Sequence, residues 1–252
     1  MSSTKETPGR FGNHFIRNIV MHILAEKHDL KVEYSYDAAI RSLGIPLFSG
    51  SKVFKENRII NSDVMATELL RDENFAINRN LIMQGDIYCQ TKEITNRVYS
   101  YLRSKKIQEK ICLFNPFQPR YGNNRDVFIH IRLGDVIDYN PGFGYYDKVM
   151  TEISENKRYD RVYISSDTPN HSICQALYNK YSNVSFILTD EIQTIQYAST
   201  CRYVILSHGS FSAIIGYLAF FSEIYYPEYE SDKIWYGDMF SVPNFQKIRH
   251  LT

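Results

Sequence analysis

The alternation of short apolar runs with helix-length segments beyond residue 125 restricts the fold of this chain more than any other feature. Residues 126–132, 161–165, 184–188, 203–206 and 223–226 read as strands, because Val, Ile, Tyr and Phe crowd into runs too short for helices. Between them, 144–156, 171–181, 189–200 and 212–221 carry apolar residues at helical spacing. Five strands separated by four helices predict a parallel, doubly wound α/β sheet. Ligands bind such sheets beyond the carboxyl ends of the strands, beside helix N-termini.

The first half has a looser version of the same pattern. A Gly9-Arg10-Phe11-Gly12 opening precedes a helix over 13–27, with Phe15, Ile19, Met21, Ile23 and Leu24 on its apolar side and Asn13 as expected N-cap. Strands are expected over 30–35, 58–61 and 81–88, and helices over 62–71 and 91–105. Residues 1–8 read as a polar lead, not as a secretory signal. Two prolines, a glycine and three asparagines in 114–124 mark a boundary, giving an acceptor-side domain 1–120 and a ligand-binding domain 121–252. The mixed tail 231–252 is expected to form a last helix able to pack back on the N-terminal half.

Charge excludes some functions. With 29 basic and 28 acidic side chains the net charge is +1, so no global field draws the chain to nucleic acid or an anionic bilayer. Any anion must be gripped locally. The longest apolar stretch, 213–221, is far shorter than the ~20 residues that span a bilayer. The expectation is a soluble, cytoplasmic protein, with peripheral membrane attachment and oligomeric state left open. Cys89, Cys112, Cys174 and Cys201 lack metal-ligand spacing and are expected as buried free thiols. Tyrosines and phenylalanines are spread along the whole chain, which suits strand packing better than one sugar-stacking groove.

Four segments carry candidate chemistry. His130-Ile131-Arg132-Leu133-Gly134-Asp135 ends the strand 126–132, where a buried strand should run apolar. Arg132 there needs an anion, and a structural pair with Asp135 and a bound phosphate are equally good readings. Ser207-His208-Gly209-Ser210-Phe211-Ser212 opens a helix, where small residues let backbone N–H groups meet an anion or simply cap the helix. Ser165-Ser166-Asp167 ends another strand; its carboxylate suits a ribose or guanine contact or a helix start. Gly9-Arg10-Phe11-Gly12-Asn13-His14 lacks the spacing of a P-loop or dinucleotide turn, and serves either as a tight turn or to face the first helix to a ligand.

In this order the segments resemble the α-1,2-fucosyltransferases and the wider fucosyltransferase superfamily that includes protein O-fucosyltransferases. The H-x-R-x-G-D motif is intact from His130 to Asp135. The G-x-G-N-Q opening is matched with His14 in place of Gln; G-Y-x-Q-S is echoed loosely around Gly85 and Gln90; S-D-D corresponds to Ser165-Ser166-Asp167. The S-S-F-S-W-W motif corresponds to the stretch from Gly209 to Ile214, without its Trp pair.

The resemblance implies a GT-B-like fold of two Rossmann-like domains facing a cleft. It also implies inverting transfer of fucose from GDP-fucose to a glycan hydroxyl, with no cofactor or metal. By carry-over, Arg132 holds the β-phosphate, Asp167 the guanosine, and Ser210, Phe211 and Ser212 the diphosphate. His130 shapes the pocket, and Gly12, Asn13 and His208 complete the donor side. Asp135 and Asp138 are the candidate bases, although a carboxylate beside a guanidinium is a weaker base. No D-x-D carboxylate pair is present to hold a divalent cation. The short length and the missing Trp pair leave open another deoxysugar donor, such as a rhamnose nucleotide, and a catalytically silent nucleotide- or glycan-binding module.

Overall fold

A computed structural model describes residues 1–71, 76–228 and 238–249 of the chain. It divides into two compact units, Met1–Ile111 and Cys112–Thr252.

In the first unit, strands β1 (Ser2–Glu6), β2 (Val32–Glu33), β3 (Asn57–Ile60) and β4 (Asn80–Gln84) form a parallel sheet in the order β2-β1-β4-β3. Helices α1 (Phe11–His28), α2 (Asp37–Ser42), α3 (Asp63–Arg71), α4 (Lys92–Leu102) and α5 (Lys105–Phe114) connect and follow them, α5 running across the unit boundary. The polar lead is therefore an interior strand. Ser2 and Thr4 are buried, but Ser2 Oγ accepts from Leu81 N at 2.9 Å and Thr4 Oγ1 donates to Asn18 Oδ1 at 2.6 Å. Buried hydroxyls so paired carry little desolvation penalty.

Helix α1 begins two residues before the expected cap. Arg10, extended at φ −91 and ψ 173, precedes it, and the buried Phe11 ring anchors the first turn against Phe15 and Tyr36. Asn13 lies inside that turn. The helix expected over 91–105 is α4, and a further helix follows it, because the Ser104 carbonyl accepts from Ile107 N and Gln108 N and starts α5 afresh.

In the second unit, β5 (Val127–Ile131), α6 (Gly142–Asn156), β6 (Val162–Ser166), α7 (Ser172–Lys180), β7 (Val184–Phe186), α8 (Glu191–Ala198), β8 (Tyr203–Ile205), α9 (Ser210–Leu218) and β9 (Glu223–Pro227) alternate as the sequence predicts. The sheet is wholly parallel, in the order β10-β9-β8-β5-β6-β7. Its edge strand β10 (Phe245–Ile248) stands where the last helix was expected; 229–237 and 250–252 lie outside the described residues. Val127, Ile129, Ile131, Val162 and Ile164 pack against Tyr145, Tyr146, Val149, Met150 and Ile153 of α6, so the central strand is buried and fixed. Among the described residues no helix is long and apolar enough to cross a membrane. All four cysteines are free thiols; Cys89, Cys174 and Cys201 are buried and Cys112 half-buried.

Strand order positions the site. β5 is the first strand of its unit and pairs with β6 on one side and β8 on the other. The order therefore reverses between β5 and β8, and ligands of doubly wound sheets bind at such a reversal.

Candidate anion-binding site at the β5–β8 switch point

The segment after β5 and the segment after β8 meet at this reversal. Arg132 N donates to Ser207 Oγ at 3.2 Å, Tyr146 Oη donates to the same oxygen at 3.0 Å, and Asn140 Nδ2 donates to Arg132 O at 2.7 Å. The Arg132 backbone is thus held by Ser207 and Asn140, with Tyr146 bracing Ser207. The sequence places Ser207 in the helix-opening motif without showing this role, and singles out neither Asn140 nor Tyr146; the Asn140-Pro141-Gly142 turn signal was visible, but not its aim.

The guanidinium is the site's principal charge. Its side chain is 17% exposed, and Nη2 lies 3.3 Å from Asp135 Oδ1 on a carboxylate that is 53% exposed. That contact is the structural pair anticipated from sequence. It is long, made to one oxygen, and solvent-screened, so its contribution is at most about 1 kcal/mol. Arg132 Nε, by contrast, is buried without a hydrogen-bond partner. A buried donor left unpaired costs about 1–3 kcal/mol, which an anion in the plane of the guanidinium would recover. Asp138 lies exposed on the same 3-10 turn, Gly134–Tyr139, outside the Arg132 pair.

Gly209 makes room for the guanidinium. Its φ of +88 and ψ of 163 favour glycine, and a Cβ there would stand 3.1 Å from Arg132 Nη1. Gly209→Ala should therefore lower the unfolding free energy by about 1–3 kcal/mol, read from urea midpoints; an unchanged midpoint would show that the turn does not need this backbone. Gly209 also precedes α9, whose first turn has neither a side-chain cap nor an acidic residue. The N–H groups there are a natural anion site beside Arg132.

The remaining expected residues take distinct places. Ser212 is fully buried, and its hydroxyl bonds His130 Nδ1 at 2.8 Å and accepts from Ser207 N at 2.8 Å. Those bonds commit it to supporting the turn from below, and only Ser210 and Phe211 stand nearer the helix start. His130 is buried between Ser212 and the Phe211 ring, whose centroid is 5.3 Å away. Burial, with the charge of Arg132 and then His208, pushes its imidazole down to about 3. Burial and then Arg132 push His208 down to about 3 as well, so both rings are neutral at neutral pH.

Asp167 is exposed, yet one of its oxygens accepts from Leu133 N at 2.9 Å, and a Cβ on Gly134 would fall 2.5 Å from the other. Its visible role is to fix the loop after β5. Gly12 and Asn13 belong to the first unit, where Asn13 Oδ1 accepts from Gln90 Nε2 at 2.9 Å.

No protein-family model matches the chain, and no curated protein matches it. Among solved structures it is similar to E. coli heptosyltransferase WaaC with ADP, at 8% identity and a TM-score of 0.57, over 100% of this chain and 94% of that one. WaaC with ADP-2-deoxy-2-fluoro heptose is matched at 9% identity and a TM-score of 0.47, with the same coverage. At such identity the first likeness is one of fold: two Rossmann-like units with parallel sheets, the GT-B-like architecture.

Proposed function

We propose that this chain is a glycosyltransferase that holds the diphosphate of a nucleotide sugar on Arg132 and the first turn of α9 and passes the sugar to a glycan hydroxyl. The observation that carries this reading is the buried, unpartnered Nε of Arg132 at the switch point. Two further facts support it: the uncapped α9 start beside the guanidinium, and a fold shared with a protein whose solved structure holds ADP.

Transfer builds negative charge on the departing diphosphate. A fixed, always-charged fork stabilises that charge more in the transition state than in the ground state. Neutral His130 and His208 lie close to Arg132 without a competing proton, and Arg132 supplies the positive charge that a metal cation would otherwise bring. The phosphate would displace Asp135 from the guanidinium. Asp138, outside that ion pair, is then the carboxylate better suited to take the acceptor proton.

Within this reading the donor is GDP-fucose and the reaction inverting and metal-independent, on the resemblance of His130 to Asp135 to the fucosyltransferase motif. Thermal shift and turnover with GDP-fucose, GDP-mannose and ADP-, UDP- and dTDP-sugars in EDTA test it, since a ligand of the folded state raises stability by mass action. GDP-fucose should stabilise most and turn over with inversion at the anomeric carbon. Preference for a rhamnose nucleotide would replace the sugar alone, and binding without turnover would make the chain a silent module. No stabilisation by any nucleotide sugar would overturn the proposal.

A further inference from the structure

Two adjacent tyrosines of α6 lie in the core of the second unit, and their hydroxyls do different things. Tyr145 and Tyr146 are both 0% exposed, and phenylalanine at either place would bury the same ring. Tyr145 Oη donates to Leu206 O at 2.9 Å, which steadies the chain just after β8. Tyr146 Oη stands between Asn140 Nδ2 at 3.1 Å and Ser207 Oγ at 3.0 Å, inside the Arg132 site. Burial holds that phenol well above its ordinary titration range, so it keeps its proton.

Each hydrogen in this cluster has one place to go. Arg132 O only accepts and Gly142 N only donates. The Asn140 amide must therefore turn Nδ2 to the first, at 2.7 Å, and Oδ1 to the second, at 2.9 Å. Its second N–H meets Tyr146 Oη, whose own proton goes to Ser207 Oγ. Ser207 Oγ also accepts from Arg132 N at 3.2 Å, and both of its lone pairs are then used. Its proton goes to the one acceptor left to it among the described residues, His208 Nδ1 at 3.3 Å. A neutral ring that accepts at Nδ1 carries its proton on Nε2.

The hydrogen bonds close on themselves, from Arg132 O through Asn140, Tyr146 and Ser207 back to Arg132 N. Tyr146 gives that ring its direction. Without its proton, Ser207 Oγ would have a free lone pair and could take a proton from His208 Nδ1 as readily as give one. The His208 ring lies against the Gly134–Tyr139 turn, 6.4 Å from the Tyr139 ring and hydrogen-bonded to the Val136 backbone. That turn carries Asp135 and Asp138.

We infer that Tyr146 is a positioning residue of this site, whose hydroxyl locks the Arg132 backbone and directs the Ser207 proton onto His208 Nδ1, so that His208 is an Nε2–H donor and not a base. A base must offer a lone pair, and the one on this imidazole is occupied by Ser207. On the glycosyltransferase reading the acceptor hydroxyl therefore gives its proton to a carboxylate of the neighbouring turn, and that step alone rests on that reading. The order of the hydrogen bonds stands on the second unit's own residues.

The test reads the tautomer in the full-length protein, isotopically labelled in its imidazole nitrogens, by long-range proton–nitrogen correlations at neutral pH. Among the seven histidines His22 is a built-in reference, since Phe48 N donates to its Nδ1 at 2.8 Å and fixes the same tautomer. His208, assigned by the signal lost in His208→Gln, should match His22, with a bare Nδ1 and a protonated Nε2. A proton on His208 Nδ1 in the parent protein would overturn the inference.

Tyr146→Phe should bring the Nδ1–H form of His208 into view and speed hydrogen exchange of the Arg132 amide by at least about tenfold. Tyr145→Phe is the control, because it removes a neighbouring buried hydroxyl outside the ring and should lower the urea midpoint by a similar amount. If the two variants behave alike in tautomer and exchange, Tyr146 only fills the core and the inference falls. With the nucleotide sugar, Tyr146→Phe should lower kcat about tenfold and leave KM for the donor within about twofold, since Arg132 keeps its charge but not its aim. A parent protein without turnover would defeat the glycosyltransferase reading alone, because tautomer and exchange are read without a donor.

Discussion

Replacing Arg132 with alanine is expected to lower kcat for donor turnover by about 10²–10³-fold, the size of a removed oxyanion-type donor, while the protein stays folded. Among the described residues the side chain's one ion pair is a 3.3 Å contact with a half-exposed Asp135, whose loss costs at most about 1 kcal/mol. The backbone bonds from Arg132 N to Ser207 and from Asn140 to Arg132 O survive the substitution. The melting temperature should therefore move by no more than about 4 °C. Arg132→Lys should recover charge but only part of the rate, since a point cation lacks the planar fork. Paired kinetics and thermal unfolding separate the two readings of this residue. Collapse of the fold in Arg132→Ala, with no donor binding in the parent protein, would make Arg132 a structural partner of Asp135 and nothing more.

How far the fold could be read in advance follows from where burial is simple. β5 sits between two strands with helices on both faces, so an apolar run is required there, and Val127, Phe128, Ile129 and Ile131 supply it, with His130 the exception. β1 is equally interior but reads Ser-Ser-Thr-Lys-Glu, since Ser2 and Thr4 are accommodated by hydrogen bonds that composition cannot forecast. β10 escaped because a four-residue strand is too short to show a period; only its parallel pairing with β9 defines it. In the candidate site, the motif residues were legible because a charge at the end of an apolar strand is conspicuous. Their mutual contacts were not: Ser207 reaches Arg132 across 75 residues of sequence, a contact that only strand order creates. The same limit hid Arg17, which reads as one more cation on a helix, although the structure buries it completely.

Acid should destabilise the protein before its carboxylates titrate, and by an amount set by buried histidines. Burial holds His22 down to about 4, with Arg41 second, and holds His130 and His208 down to about 3. The 3.8 Å approach of Glu26 to His22 does not offset this, because that carboxylate is 63% exposed while the ring is buried. In the unfolded chain each ring takes a proton near its ordinary value of about 6.5. Between that value and the folded-state values the unfolded chain binds more protons, so stability is full above about pH 6.5 and falls as pH is lowered.

The limiting slope for three histidines is about 4 kcal/mol per pH unit. If the units unfold separately, His130 and His208 give the second unit about 2.7 and His22 gives the first about 1.4, with His14 and His28 acting in the same direction. Glu93, Asp160, Glu223 and Glu228 are held below their ordinary values by neighbouring cations, so their stabilisation is lost only at lower pH. Urea midpoints at half-unit steps from pH 6.5 to 5.0 isolate the histidines. His22→Gln should remove about one proton's worth of slope from the transition of the first unit alone. A flat profile over this range would mean that the rings are solvated or protonated in the fold, and the neutral lining assigned to the Arg132 site would fall with it.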